Sequence, residues 1–236
     1  MSNAKKKKKL FEGKTKALFE TDNPEQLILA FKDEVGEGTG VVEHKGEINN
    51  QISTLLFRYL ESHHIATHFL AEAGRDAMLV RQLNMIALSI VIHCVATGAT
   101  ARRLGVKDNT VLQPPLVEYY LKDESTKKTP LERKDLLSLG LLTQEELQQL
   151  VRLTAKAVVL LGSFFERRGL VLVACRLEFG RHKNRLVLGD ELSLASCHLR
   201  DRATGESYDL LEGRQEPATL RKIYAQLSQR ILNKRE

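Results

Sequence analysis

Two carboxylates stand where a predicted β-hairpin would bring them together. The apolar segments 170–173 and 186–188 flank a turn that contains glycine and asparagine, a pattern typical of paired strands. Glu178 ends the first strand, and Asp190 and Glu191 follow the second. Adjacent carboxylates repel each other unless a cation or a proton lies between them. Since Mg²⁺ uses one or two carboxylates together with substrate phosphates, Glu178 and Asp190 indicate a magnesium site, with a solvated surface hairpin as the alternative.

A second candidate lies near the start of the chain, where residues 13–16 read Gly-Lys-Thr-Lys. Glycine lets backbone N–H groups approach a phosphate closely, and lysines supply positive charge to phosphate oxygens. The segment lacks the glycine and lysine spacing of a P-loop. We interpret it as a candidate phosphate-binding turn, with a turn that merely exposes two lysines as the alternative.

The positive charge of the chain is concentrated at one end. The 236 residues carry a formal net charge of +6, and the five consecutive lysines at 5–9 supply nearly all of the excess. Such a run binds nucleic acid weakly and is more commonly a solvated tail, so we expect no nucleic-acid partner. We interpret residues 1–9 as a tag remnant followed by this basic tail.

Cysteine usage and hydropathy point to a cytoplasmic protein. No apolar run approaches the roughly 20 residues of a membrane-spanning helix, and the first residues lack a signal-peptide pattern. Cys94, Cys175 and Cys197 are scattered, and their spacing matches no zinc site. We therefore expect reduced thiols, a cytoplasmic location and no membrane partner.

Hydrophobic periodicity predicts the elements that position these residues. Strand-like runs are predicted at 10–19, 26–31, 66–70, 77–83 and 86–95. A helix is predicted from residue 47, because apolar residues recur there at helical spacing. A capping box at Thr143 predicts a helix that ends before Gly169, and a last helix is predicted from about Pro217.

These elements predict an α+β fold with two lobes. An antiparallel β-rich N-terminal lobe would span residues 10–86, and an α+β C-terminal lobe would span residues 87–236. Because clefts between lobes commonly bind ligands, we expect a ligand site there.

A series of sequence blocks extends this interpretation over most of the chain. The blocks are FEGKTK (11–16), FKD (31–33), KGEINNQIS (45–53), THF (67–69), ATGATARRLGV (96–106), PPLVEYYLKDE (114–124), LVACRLEFGR (172–181), LGDELS (188–193) and LRDRATGESYD (199–209). In this order they resemble the SAICAR synthetase family, from about residue 9 to residue 231. The resemblance implies the two-lobed SAICAR synthetase-like fold with an ATP-binding cleft between the lobes.

The resemblance also implies an activity, that of an ATP-dependent carbon–nitrogen ligase in de novo purine biosynthesis. Such an enzyme joins the carboxylate of an aminoimidazole ribotide to the amine of L-aspartate. The carboxylate takes the γ-phosphoryl group of ATP, and the amine then displaces phosphate. The implied cofactors are ATP and Mg²⁺, the implied partners are the anionic ribotide and the amino acid, and self-association as a homodimer is implied as well.

Individual residues receive roles from the same resemblance. Lys14 and Lys16, beside Gly13, match phosphate-binding lysines, and Lys122 matches a nucleotide-contacting lysine. Met85 would line the adenine pocket, with core packing as the alternative.

The remaining roles concern the acids and the arginines. Glu178 and Asp190 match acids that bind Mg²⁺ and the nucleotide. Lys14, Arg176 and Arg214 are the expected catalytic residues. The cations that remain to hold an anionic acceptor are Arg102, Arg103, Arg176, Arg181 and Arg214.

Other positions depart from the family pattern on the substrate side. Where the family has arginines, this chain has His93 and His198, and a neutral imidazole offers one donor in place of a charged fork. Other polar family residues are replaced at Cys94, Ala99, Ala174 and Ala195. A second hypothesis therefore stays open: a diverged paralogue that binds ATP but has lost or changed the ligase reaction, as a pseudoenzyme, a scaffold or a ligase of a different acid and amine.

Overall fold

The computed structural model describes residues 4–13, 15–35, 40–122, 129–210 and 216–233. Contacts between residues divide the chain into two compact units. The first unit comprises residues 1–83, 191–196 and 210–236, and the second comprises residues 84–190 and 197–209. This division differs from the predicted lobes because two C-terminal segments return to the first unit.

Antiparallel sheets and helices make up the described residues, which confirms the α+β class. The strands are β1 (Lys9–Glu12), β2 (Lys16–Glu20), β3 (Gln26–Phe31), β4 (Phe69–Glu72), β5 (Ala77–Arg81), β6 (Asn84–Met85), β7 (Leu88–Ala96), β8 (Thr110–Leu121), β9 (Leu170–His182), β10 (Arg185–Gly189), β11 (Cys197–Asp201) and β12 (Ser207–Tyr208). The helices are α1 (Lys45–Ser62), α2 (Gly98–Leu104), α3 (Arg133–Ser138), α4 (Gln144–Glu166) and α5 (Pro217–Leu232). None of the helices in the described ranges is long and apolar enough to cross a membrane.

The described strands of the first unit form an antiparallel sheet in the order β1-β2-β3-β5-β4. The sequence predicted one run over residues 10–19, but the chain turns inside this run and forms both β1 and β2. At the turn, the Gly13 N–H donates to the Lys16 carbonyl at 2.8 Å. A Cβ at Gly13 would lie 3.0 Å from the Phe11 ring, so this close approach favours glycine. Lys14 lies outside the described residues.

Helix α1 packs its apolar face against β3 and β5 of this sheet. Ile52 and Leu56 recur at helical spacing and are fully buried, as the periodicity predicted. The Asn49 side chain donates to the Tyr224 hydroxyl of α5 at 3.2 Å. Because α5 contacts α1 in this way, the last helix belongs to the first unit.

The sheet of the second unit has two chemically different faces. Its described strands follow the order β12-β11-β9-β7-β8, and β6 and β10 also pair with β9. On one face, Ile90 and Ile92 of β7 lie opposite Leu177 and Cys175 of β9, and all four are buried. Helix α4 packs against β9. The other face carries polar side chains, including Arg176, and is called the polar face below.

The predicted capping box at the start of α4 is present. The Glu146 N–H donates to Thr143 Oγ1 at 3.2 Å, and the Thr143 N–H donates to Glu146 Oε2 at 2.9 Å. Thr143→Ala removes an acceptor from the first turn, so we expect the free energy of unfolding to fall by about 1 kcal/mol in urea titrations. Thr143→Ser keeps the hydroxyl and serves as the control. Equal losses in both variants would contradict the capping role.

The cysteines are free thiols on neighbouring strands of the second unit. Cys175 of β9 lies opposite Cys197 of β11, and Cys94 lies on β7. Burial raises the pKa of the Cys94 thiol to about 11, and burial also raises the pKa of the Cys175 thiol well above its ordinary value. Cys94 and Cys175 therefore stay protonated at neutral pH, the less reactive form of a thiol.

Candidate active site

The predicted hairpin is present, and its carboxylates lie at one end. Strands β9 and β10 pair so that Glu178 is opposite Gly189. Asp190 follows Gly189 directly, with a φ of 59°, a left-handed conformation that aspartate adopts more readily than most residues. The chain therefore turns at the strand end, next to the position that faces Glu178.

Glu178 has a positively charged partner. Its side chain is buried, and its Oε2 accepts a hydrogen bond from Lys122 Nζ at 2.5 Å. Lys122 follows β8 directly, and its side chain is 44% exposed. Because a buried carboxylate is costly without a counter-charge, this contact stabilises Glu178. The structure thus brings together two residues that the sequence analysis placed at the nucleotide.

The donor set at the hairpin suits Mg²⁺ rather than a metal that needs a closed protein shell. Glu178 and Asp190 offer the hard carboxylate oxygens that Mg²⁺ prefers. No group of three or more His, Cys, Asp or Glu side chains in the described part of the chain has metal-binding geometry. Mg²⁺ commonly takes one or two carboxylates and completes its shell with water and phosphate oxygens, so two carboxylates are sufficient.

Glu191 is a site residue that the sequence analysis missed. Its side chain is 1% exposed, and its Oε1 accepts from Lys16 Nζ at 3.0 Å and from Thr15 Oγ1 at 3.1 Å. The Ser193 hydroxyl donates to its other oxygen. A buried carboxylate therefore fixes the position of Lys16, one of the predicted phosphate-binding lysines. No local pattern could relate Glu191 to residues 15 and 16.

A second buried lysine lies in the same region of the first unit. Lys45, the first residue of α1, is 4% exposed, and its Nζ donates to the Lys32 carbonyl at 2.6 Å. Burial lowers the pKa of Lys45, while the negative charges of Glu191 and Asp33 act in the opposite direction. The ammonium groups of Lys16 and Lys45 thus lie near one buried carboxylate, that of Glu191.

Three of the substituted positions form a row on the polar face of the second unit. His93 of β7 and His198 of β11 are each opposite Ala174 of β9. Arg176, an expected catalytic residue, lies two positions further along β9 and is opposite Val91. Side chains alternate along a strand, so Arg176 and Ala174 share a face. These three departures from the family pattern are therefore neighbours, although they are far apart in the sequence.

His198 is an uncharged hydrogen-bonding group at neutral pH. Its Nε2 lies 2.7 Å from the Ser207 hydroxyl, and its Nδ1 lies 3.8 Å from Asp209 Oδ2. Burial lowers the pKa of His198 below its ordinary value, although the charge of Asp209 acts in the opposite direction. The imidazole therefore supplies no permanent positive charge to this face.

Other assigned residues have surroundings that the sequence did not indicate. Met85 lies opposite Gly180 and is 40% exposed, so the alternative that it packs in the core is wrong. Arg181 donates to Glu146 at 2.6 Å and to the Leu141 carbonyl at 2.7 Å. Its guanidinium connects β9 to the start of α4. Like Lys14, Arg214 lies outside the described residues.

Comparison with known proteins covers nearly the whole chain. The sequence profile of the family described as SAICAR synthetase matches residues 9–230. The phosphoribosylaminoimidazole-succinocarboxamide synthase of Chlorobium chlorochromatii (strain CaD3) is 38% identical over 231 residues, which cover 96% of this chain and 98% of the relative.

Solved structures agree with this similarity. The crystal structure of phosphoribosylaminoimidazole-succinocarboxamide synthase from Ehrlichia chaffeensis has a TM-score of 0.89 at 30% identity and covers 97% of this chain and 100% of its own. A structure described as SAICAR synthetase (Type-2) in complex with ADP has a TM-score of 0.87 at 31% identity. The match covers 96% of this chain and 99% of that structure's chain. The fold expected from the sequence is thereby confirmed.

Proposed function

Because this chain belongs to the SAICAR synthetase family, we propose that it catalyses the reaction for which its relatives are named. In that reaction, ATP drives the joining of an aminoimidazole ribotide carboxylate to L-aspartate in purine biosynthesis. The observation that carries the proposal is sequence similarity to a named synthase over 96% of the chain. The hairpin site supports it, since Glu178 and Lys122 are paired there.

The reaction asks the protein for positioning and for neutralisation of charge. The ribotide carboxylate attacks the γ-phosphorus and releases ADP, and the aspartate amine then attacks the acyl phosphate and releases inorganic phosphate. Neither step requires a covalent bond to the protein. Both steps bring negatively charged species together, so cations must face them.

We assign the phosphate groups of ATP to Gly13, Lys14 and Lys16 of the first unit. Lys16 is the residue whose position the structure supports best, because Glu191 holds its ammonium group at 3.0 Å. A lysine that is already oriented loses less conformational entropy when a phosphate binds.

In the second unit, we assign the nucleotide to Met85, Lys122, Glu178 and Asp190. Glu178 and Asp190 would also hold Mg²⁺, which when bound neutralises charge on the phosphate oxygens. The exposure of Met85 supports a contact with a ligand rather than with the core.

The acid substrates require further cations. We assign Arg176 and Arg214 to them, with Lys14 as the third catalytic residue. Arg176 lies on the polar face beside Ala174, with its side chain partly exposed.

We further propose a homodimer and a cytoplasmic location, both on the family resemblance. Light scattering after size exclusion tests the first, since a dimer has twice the chain mass of 26.6 kDa. A single species at the chain mass would reject the dimer.

A coupled assay for ADP release tests the function. With ATP, Mg²⁺, the carboxylate ribotide and L-aspartate, we expect turnover at the rate of an ordinary biosynthetic enzyme, about 1–10³ s⁻¹. Omitting the ribotide or L-aspartate should abolish formation of the amide product, which chromatography measures. Because the relatives are named as synthases, the similarity favours this function over the diverged paralogue. Binding of ATP without any turnover would reject the ligase and leave the paralogue.

A further inference from the structure

A buried carboxylate of the second unit has no role in the function proposed above. Glu118 of β8 is 5% exposed, and donors from three elements contact its two oxygens. Arg103 of α2 lies 2.6 Å from Oε1. Nε2 of His93 and the Tyr120 hydroxyl lie 3.0 Å and 3.1 Å from Oε2. Three donors offset the cost of burying one negative charge.

The Glu118 carboxylate restricts the motion of two donor side chains that are more exposed than Glu118 itself. The side chain of Arg103 is 49% exposed and that of His93 is 17% exposed. Because a carboxylate only accepts, Nε2 of His93 donates to Glu118, and in the neutral ring Nδ1 is then an acceptor. Burial and the charge of Glu118 raise the pKa of Tyr120, so its hydroxyl stays a donor as well.

Glu118 lies on the polar face, near the residues that attract anions. It is opposite Val91, which on its other side is opposite Arg176. A carboxylate in this place repels an anionic substrate, so direct binding is unfavourable. What Glu118 contributes is the fixed orientation of the Arg103 guanidinium that contacts it.

We propose that Glu118 is a positioning residue for the acid substrates of the ligase. Its carboxylate holds the Arg103 guanidinium in the orientation in which the remaining N–H groups of that guanidinium bind a carboxylate or phosphate group. The proposal rests on the proposed function, because it assigns the acid substrates to the polar face. In this arrangement a buried carboxylate orients the donors that bind an anion. Outer-shell groups orient the ligands of a metal ion in the same way.

Glu118→Gln tests this role, since it keeps the size of the side chain and one carbonyl acceptor but removes the charge. In ADP-release assays we expect the KM of the ribotide or of L-aspartate to rise about tenfold or more, while the KM of ATP changes less than about twofold. Separate titrations of the ribotide and L-aspartate by calorimetry give the same comparison without turnover. If the wild-type protein shows no turnover, the proposed function is rejected. The affinities of the two acid substrates measured by calorimetry still decide the role of Glu118.

Glu166→Gln is the matched control, because it removes another Glu–Arg pair, with Arg202 at 3.1 Å, from the exposed surface of the same unit. We expect wild-type KM values for it. Arg103→Ala and the double variant with Glu118→Gln complete a cycle in which we expect less than additive effects.

Two results would overturn the positioning role. One is an equal rise of all three KM values, which indicates a general structural loss. The other is unchanged affinity for both acids. If Glu118→Gln does not fold, Arg103→Ala carries the same test, with weaker acid binding and unchanged ATP binding expected.

Discussion

Glu191→Ala is expected to lower the free energy of unfolding by about 3–5 kcal/mol, the loss typical of breaking a buried ion pair. The Lys16 side chain is 14% exposed, so its ammonium group loses its counter-charge without full access to water. The hydroxyls of Thr15 and Ser193 lose their acceptor as well. The loss is a large fraction of the about 5–15 kcal/mol that stabilise an ordinary domain. Urea unfolding monitored by circular dichroism measures it.

A double-mutant cycle separates the stability of this ion pair from its use in binding. Lys16→Met leaves the Glu191 carboxylate buried without its ammonium partner, so we expect a loss of similar size. Lys16→Met combined with Glu191→Leu removes both charges, and most of the stability should return while activity does not. The exposed pair of Glu166 and Arg202 is the control, since Glu166→Ala should change stability by no more than about 1 kcal/mol. If Glu191→Ala is as stable as the wild type, the Glu191 carboxylate is not needed for stability.

Glu178→Gln is expected to lower kcat by a factor of about 10²–10³, the largest loss of activity that we predict with the fold retained. The substitution removes the charge that faces Lys122 at 2.5 Å and, on our proposal, a ligand of Mg²⁺. Stability should change much less than in Glu191→Ala, because Lys122 is 44% exposed and water can solvate its ammonium group. Steady-state kinetics over a range of Mg²⁺ concentrations measure the effect.

The dependence on Mg²⁺ distinguishes a metal ligand from a residue that only orients Lys122. We expect Glu178→Gln to require more Mg²⁺ for half-maximal activity and, in calorimetry, to lose the effect of Mg²⁺ on ADP binding. Lys122→Met should weaken nucleotide binding at every Mg²⁺ concentration. An unchanged Mg²⁺ dependence in Glu178→Gln would remove the assignment of Glu178 to the metal. Glu166→Gln again serves as the surface control.

Elements whose signals are local in the chain were predicted well. The capping box at Thr143 and the start of α5 at Pro217 follow from neighbouring residues, and both are present. The hairpin that places Glu178 near Asp190 also follows from local order, since its strands are joined by a short turn. Element boundaries were less certain: the run predicted over residues 10–19 is two strands, because Gly13 permits a turn within an otherwise strand-like pattern.

Contacts between distant parts of the chain were not predicted. Glu191 binds Lys16 across 175 positions, and Arg181 binds Glu146 across 35. Hydrophobic periodicity reports which side of an element is buried, and it carries no information about which distant side chain will meet a buried charge.

Family, fold class and the identity of the chemical groups follow from the order of residues along the chain, because motifs and turns act over short distances. The partners of those groups follow from the packing of distant strands. His93, Ala174 and His198 become a row only when β7, β9 and β11 pair in register. In the same way, Glu191 holds Lys16 because residues 191–196 return to the first unit, where a buried carboxylate requires a cation.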